Sequence, residues 1–250
     1  TDSQIDILLA RIEGLHSLEG RSHDVFQFLG FASERRPRQT VEMLLRRVQA
    51  ADKHSGSRGA DRWTPIPYHG HGLSLPGILQ SPDALALARL IRDATPEAGP
   101  LVRFWLPTLF ALVVPDLKVA TTVLREWLPS GDGNKLIAAG TLLRGYEHGT
   151  VFALSDFIAD LLDAASTVSP ESLRFTKSEL YSLAISGVYT GSPGKPAPRH
   201  LSDKAQAAAI AEALKSRPAA KEFFDNLVRN AEESIKRETV EFEDDEEEAE

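Results

Sequence analysis

Residues 63–77, WTPIPYHGHGLSLPG, hold side chains that could do chemistry: His69 and His71 stand one residue apart, with Trp63 and Tyr68 close by. Two imidazoles so placed could ligate zinc or move a proton. Zinc would need a third or fourth ligand, itself oriented by hydrogen bonds, and the nearby donors are Asp61 and His54, at no fixed spacing. No metal is therefore assigned. The same stretch carries Pro65, Pro67 and Pro76, which stiffen an extended connection that Trp63 and Tyr68 would pack onto neighbouring helices. A binding loop stays open beside that reading, with Trp63, Tyr68, His69 and His71 as its candidate contacts. Residues 54–80 make a long connection for a compact domain, and Leu73 to Gln80 has room for one helical turn.

Other constellations fail on geometry or spacing. Ser22-His23-Asp24 has the letters of a triad, but adjacent residues at a helix start point apart and cannot relay a proton. No Gly-x-Ser-x-Gly elbow occurs. In GVYTGSPGKP (187–196) the first glycine of a phosphate loop would fall on Tyr189, and Pro196 stands where a metal-binding hydroxyl is needed. Zero cysteines remove thiolate nucleophiles, disulfides and cysteine-based zinc sites. The expectation is a chain that is no enzyme and holds no cofactor.

Charge adds one alternative. The net charge of −8 comes from 28 basic and 36 acidic residues, and nine of the acids lie in the terminal ETVEFEDDEEEAE, 238–250. Such a tail repels itself and is expected to be solvated and disordered. Without it the chain is almost neutral. Residues 35–62 carry Arg35, Arg36, Arg38, Arg46, Arg47, Lys53, Arg58 and Arg62 against Glu42, Asp52 and Asp61. Arg35, Arg36, Arg38 and Arg47 are thus candidate phosphate contacts, which would give salt-dependent, sequence-blind binding. The competing reading is a solvated face whose aliphatic stems lie over the core. Nucleic acid is the second choice of partner, after protein.

The elements that must position these residues are helices. Apolar or small residues recur at i, i+3, i+4 and i+7: Ile5, Leu8, Leu9, Ile12; Val25, Phe28, Leu29, Ala32; Val41, Leu44, Leu45, Val48; Leu87, Leu90, Ile91, Ala94. The pattern returns in Leu117–Leu124, Leu136–Leu143, Leu154–Leu161 and Phe224–Ala231, and no strand run competes with it. Ser81-Pro82-Asp83, Thr95-Pro96-Glu97 and Ser169-Pro170-Glu171 each read as a capping hydroxyl, a proline at the first helical position and an acid at the positive end of the helix dipole. Short breaks between helices predict antiparallel hairpins. FASERRPRQTVEMLLRRV (31–48) and FALVVPDLKVATTVLREW (110–127) match as two copies of one hairpin, and 136–165 keeps the rhythm. About ten to twelve helices are expected, in one repeat domain over 1–237 with a sub-boundary in the 54–80 loop.

The ASERRPRQTVEMLLRRV pattern resembles a degenerate HEAT-type repeat, which implies an all-α solenoid of antiparallel helix pairs. Together with WTPIPYHGH, ESLRFTKSELYSLAISGVYTGSPGKPAP, the later alanine-rich helix and the acidic end, it is similar to the C-terminal helical region of large bacterial STAND NTPase-type defence proteins. That resemblance implies recognition of a protein partner or foreign molecule, with chemistry in upstream domains of the same polypeptide. Thr1 at the start and Met43 as the single methionine read as an excised piece. No run approaches the roughly 20 apolar residues of a membrane span and none resembles an export signal, so a cytoplasmic location is expected. The oligomeric state is not encoded legibly.

Overall fold

The computed structural model describes residues 1–18, 22–54, 56, 63–67, 73–185 and 195–240. Two compact units divide the chain, Thr1–Tyr146 and Glu147–Glu250. Among the described residues every regular element is helical, and one isolated bridge joins Ser17 to Thr64. Tyr68, His69, His71, Arg58, Arg62 and the tail from 241 lie outside the described residues.

The first unit holds α1 (Asp2–Glu13), α2 (Ser22–Arg35), α3 (Pro37–Gln49), α4 (Pro76–Leu79), α5 (Ala84–Asp93), α6 (Pro100–Val113), α7 (Leu117–Arg125) and α8 (Gly133–Leu143), with 3-10 turns at Ala51–His54 and Leu128–Ser130. Its centre is α3, which packs on α1, α2 and α6. The predicted stripe Val41, Leu44, Leu45 and Val48 is buried, each side chain contributing roughly 1.5–3 kcal/mol relative to exposure. α4 is the helical turn that Leu73 to Gln80 had room for. It docks on α2 through Gly77, where an added Cβ would meet Glu34 Cα at 2.3 Å. The Gly77 amide donates to the buried Ser33 hydroxyl at 3.2 Å.

The helix starts show where local signals hold and where they do not. Pro37 opens α3 at its first position, as its fixed φ favours. The cap expected at Thr95-Pro96-Glu97 is not one: those residues form a turn, Thr95 donates back to the Ile91 carbonyl, and α6 opens later at Pro100. Its N-terminus is capped from afar. Asp52 Oδ1 accepts the Leu101 amide at 2.9 Å, and a Cβ on Gly99 would sit 2.0 Å from Asp52 Oδ2, so glycine makes room for the carboxylate. At Ser81-Pro82-Asp83 the helix likewise starts later, at Ala84, with Asp83 in the cap position.

The second unit holds α9 (Thr150–Ala153), α10 (Ser155–Val168), α11 (Pro170–Ala184), α12 (Pro198–Ala213) and α13 (Pro218–Val240). Ser169 ends α10 and caps α11, accepting the Ser172 amide on its hydroxyl at 3.0 Å, as its Ser-Pro-Glu context predicts. α12 and α13 form a long antiparallel hairpin. α12 contributes only Ala207 and Ala211 to the core, short side chains that let the two helices approach closely, while α13 buries Phe223, Phe224 and Leu227. Arg217, in the turn between them, reaches Asp160 and Asp163 of α10 at 2.8 and 2.7 Å.

Consecutive helices pack on each other in α2/α3, α10/α11 and α12/α13, the last pair antiparallel. The repeat expected over 110–127 does not close as a hairpin, because α7 packs chiefly on α5 while α6 packs on α8, α3 and α5. The third expected repeat, 136–165, is cut by the division at Tyr146/Glu147, and the 54–80 loop falls inside the first unit. Ordered chain also runs past the expected boundary at 237, because Glu238 belongs to α13 and its carboxylate has work to do on α12, described below.

Candidate functional site

The residues nominated by sequence divide sharply once placed. Arg47, expected on a solvated or phosphate-contacting face, is 1% exposed. Its Nη1 donates to the carbonyls of Ile12, Glu13 and Leu15 at 2.9, 2.8 and 2.6 Å, its Nη2 to Thr64 at 3.0 Å and its Nε to Pro65 at 2.9 Å. Three of those acceptors are carbonyls at and just beyond the C-terminus of α1, the negative end of that helix, which compensates the buried cation. Burial pushes the guanidinium down to about 10, against a smaller pull from Glu13. The Trp63 ring lies 4.7 Å from the guanidinium carbon and its indole N–H donates to the Arg47 carbonyl at 3.1 Å. Trp63 also stacks on His54 with ring centroids 4.3 Å apart. Trp63 and Arg47 therefore hold the described part of the 63–77 stretch onto the helices.

Three more of the described arginines of this segment are paired with carboxylates. Arg36 grips Asp6 at 2.8 and 3.2 Å, Arg38 meets Glu42 at 2.8 Å one turn on, and Arg46 holds Glu13 at 2.9 and 3.0 Å. Arg35 and Lys53 are exposed. Neighbouring carboxylates subtract from the field that a phosphate-binding face requires. A second arginine of this unit repeats the Arg47 pattern. Arg92, 6% exposed, donates to the Val123 carbonyl at 2.7 Å and to Glu126 at 2.6 Å, with its guanidinium 4.9 Å from the Trp127 ring.

The second unit carries a cavity of about 210 Å³ that sequence reasoning did not anticipate. Its walls come from the segment before α9 (His148), α9 (Phe152), the end of α11 (Ala184, Ile185), the first turns of α12 (His200, Asp203) and α13 (Leu227, Asn230, Ala231, Ser234). His148 Nε2 lies 3.0 Å from Asp203 Oδ2, and Arg199 Nε donates to the same oxygen at 3.3 Å. His200 Nδ1 lies 3.2 Å from the Glu238 carboxylate, which also accepts the Ala197 amide at 2.8 Å at the start of α12. Glu238 thereby caps one helix from the last turn of the next, and that amide holds its carboxyl below the usual range. Burial acts the other way on the neighbouring pair, raising Asp203 and lowering Arg199.

An open cleft of about 500 Å³ adjoins this cavity, sharing Ile185 and Asn230 with it and lined further by Tyr181, Asn226, Arg229 and Glu233. Ile185, 62% exposed, stands where the two meet. The His200 and Asp203 spacing of three residues puts both on one face of α12, a signal readable in sequence. Their meeting with His148, some fifty residues earlier, is not.

Chemically, the lining is apolar on Phe152, Leu227 and Ile185, and polar on the imidazoles, Asn230 and Ser234. Its charges are set in pairs. Among the described residues no three histidine or acidic side chains converge to hold a metal ion. No described helix is long and apolar enough to cross a membrane. Compared with protein-family models, curated proteins and solved structures, the chain matches none.

Proposed function

We propose that this chain is a non-catalytic recognition region of HEAT-like helical-repeat type, which binds a protein partner or foreign molecule on the α11–α13 side of its second unit and serves upstream domains of the same polypeptide. The observation that carries the reading is the cavity lined from His148 to Ser234 by α9 and α11–α13 with its adjoining cleft, where apolar walls meet convergent hydrogen-bonding groups. The packing of consecutive helices on each other supports the repeat assignment, and the carboxylate pairing of Arg36, Arg38 and Arg46 favours protein over nucleic acid as the partner.

The test places a photo-crosslinking amino acid at Asn230, in the cleft, and separately at Lys118, exposed on α7 of the first unit. In an extract of the source cells, the Asn230 position is expected to yield a discrete crosslinked protein that excess unlabelled chain competes away, and the Lys118 position none. Equal, uncompeted labelling from both positions would refute the reading.

A further inference from the structure

We propose that the 210 Å³ cavity receives one neutral aromatic side chain bearing a polar hydrogen, a tyrosine or tryptophan of the partner, with the flanking partner chain extended along the adjoining cleft. This rests on the recognition reading above and specifies its ligand.

Size comes first. A cavity of about 150 Å³ accommodates benzene, so 210 Å³ suits a phenol or an indole. The lining has the matching polarity. Phe152, Leu227, Ala184 and Ala231 offer an apolar bed for a ring, while Asn230 and Ser234 offer acceptors for one O–H or N–H. Charge then narrows the class. Asp203 is already engaged by Arg199 and His148, and Glu238 by His200 and the Ala197 amide, so the cavity presents paired charges. A charged ligand group would lose its hydration and gain no vacant counter-charge, whereas a neutral one avoids that cost.

The cleft points to a side chain of a polypeptide rather than a free small molecule. It leaves the cavity at Ile185 and Asn230 and continues over Asn226, Arg229 and Glu233. Asn226 and Asn230 stand one turn apart on α13, about 6 Å along the helix, close to the roughly 6.6 Å between alternate residues of an extended chain. The Asn230 amide carries both a donor and an acceptor, as a peptide group does, while the Asn226 oxygen already accepts from Arg229.

The test uses the full chain labelled in its histidine rings and follows the His148 and His200 signals by NMR. N-acetyl-tyrosinamide and N-acetyl-tryptophanamide are expected to move both signals saturably at millimolar concentration, with benzylamine, benzoate and N-acetyl-phenylalaninamide at least about tenfold weaker. Ala231→Phe, which places a ring in the cavity, is expected to abolish the shifts, and Asn230→Ala, an exposed position, to weaken them without changing the melting temperature. Charged probes binding as well as neutral ones, or silence of both signals with every probe, would overturn the assignment. So would free indole binding where the blocked amides do not, which would mark a small-molecule pocket. The two readings fail separately: competed crosslinking at Asn230 that survives Ala231→Phe removes the aromatic anchor and keeps recognition, while ring shifts without competed crosslinking remove recognition and keep the pocket.

Discussion

Arg47 in the first unit and the Asp203 carboxylate in the second are both charges drawn largely out of water, yet their surroundings differ in kind. Arg47 is buried among five carbonyls and an indole, and each of its three guanidinium nitrogens ties α3 to α1 or to the 63–67 segment. Asp203 and His148 line a cavity whose other walls include Phe152, Ala184, Ile185 and Leu227. The difference teaches that a buried charge marks a site only when the space beside it is open. A complete set of protein partners makes it scaffolding.

The sharpest way to break this comparison is Arg47→Met. Five carbonyls would lose their donor, and removing one side of such a buried polar arrangement costs about 3–5 kcal/mol. All three tryptophans lie in the first unit, so urea unfolding followed by their fluorescence reports on that unit alone. A midpoint unchanged by the substitution would mean that Arg47 is dispensable to the scaffold. Arg47→Lys keeps the charge but not the five-donor fork, and is expected to be nearly as harmful.

Next in size is Gly77→Ala. The new Cβ would press on the backbone of Glu34, and overpacking of this kind costs roughly 1–3 kcal/mol. The same fluorescence titration reads it.

Glu126→Gln comes third and carries a pH signature. Hydrogen bonds from Arg89 chiefly, then from Arg92, hold the Glu126 carboxyl down to about 2. A depressed folded-state value means stability that is present above the ordinary carboxyl range and lost as pH falls from about 4.5 toward 2. Glu126 is 36% exposed at its side chain, so solvent screening limits the loss to about 1 kcal/mol at pH 7, or about 3 °C in melting temperature. The difference between wild type and variant should shrink steadily as pH falls from about 4.5 through 2. A difference that persists in acid would assign the effect to packing rather than to charge.

Smallest of all should be Ile185→Ser at the mouth of the cavity, within about 0.5 kcal/mol, since the side chain is mostly in water already. A thermal melt by circular dichroism checks it, and a loss of several degrees would show that this residue belongs to the core.

These sizes do not track what could be read from the sequence. The stripes of α3 and α10 and the Ser169 cap depend on neighbours three or four residues away, and periodicity exposes them. The local reading places the start of α6 too early because its cap, Asp52, comes from the 3-10 turn that follows α3, while the local Thr95 hydroxyl bonds backward to Ile91. α12 left little trace, because two alanines among many suffice when the facing helix supplies the aromatic rings. Arg47 reads as a surface arginine from its composition. Its burial is decided by chain ends from α1 and by Thr64 and Pro65, which only tertiary structure brings to it. The cavity is the extreme case, since His148, His200 and Asn230 come from three segments that no local spacing connects.

The central claim is that the recognition face belongs to the α11–α13 cleft and that the arginines of 35–47 belong to the scaffold or lie idle on the surface. The most direct measurement is competed photo-crosslinking from Asn230 in two variants, Ile185→Arg and the double variant Arg35→Glu, Arg38→Glu. The account predicts that the crosslinked partner is lost in the first and retained in the second. Retention in the first with loss in the second would contradict it and move the binding face to the arginine segment.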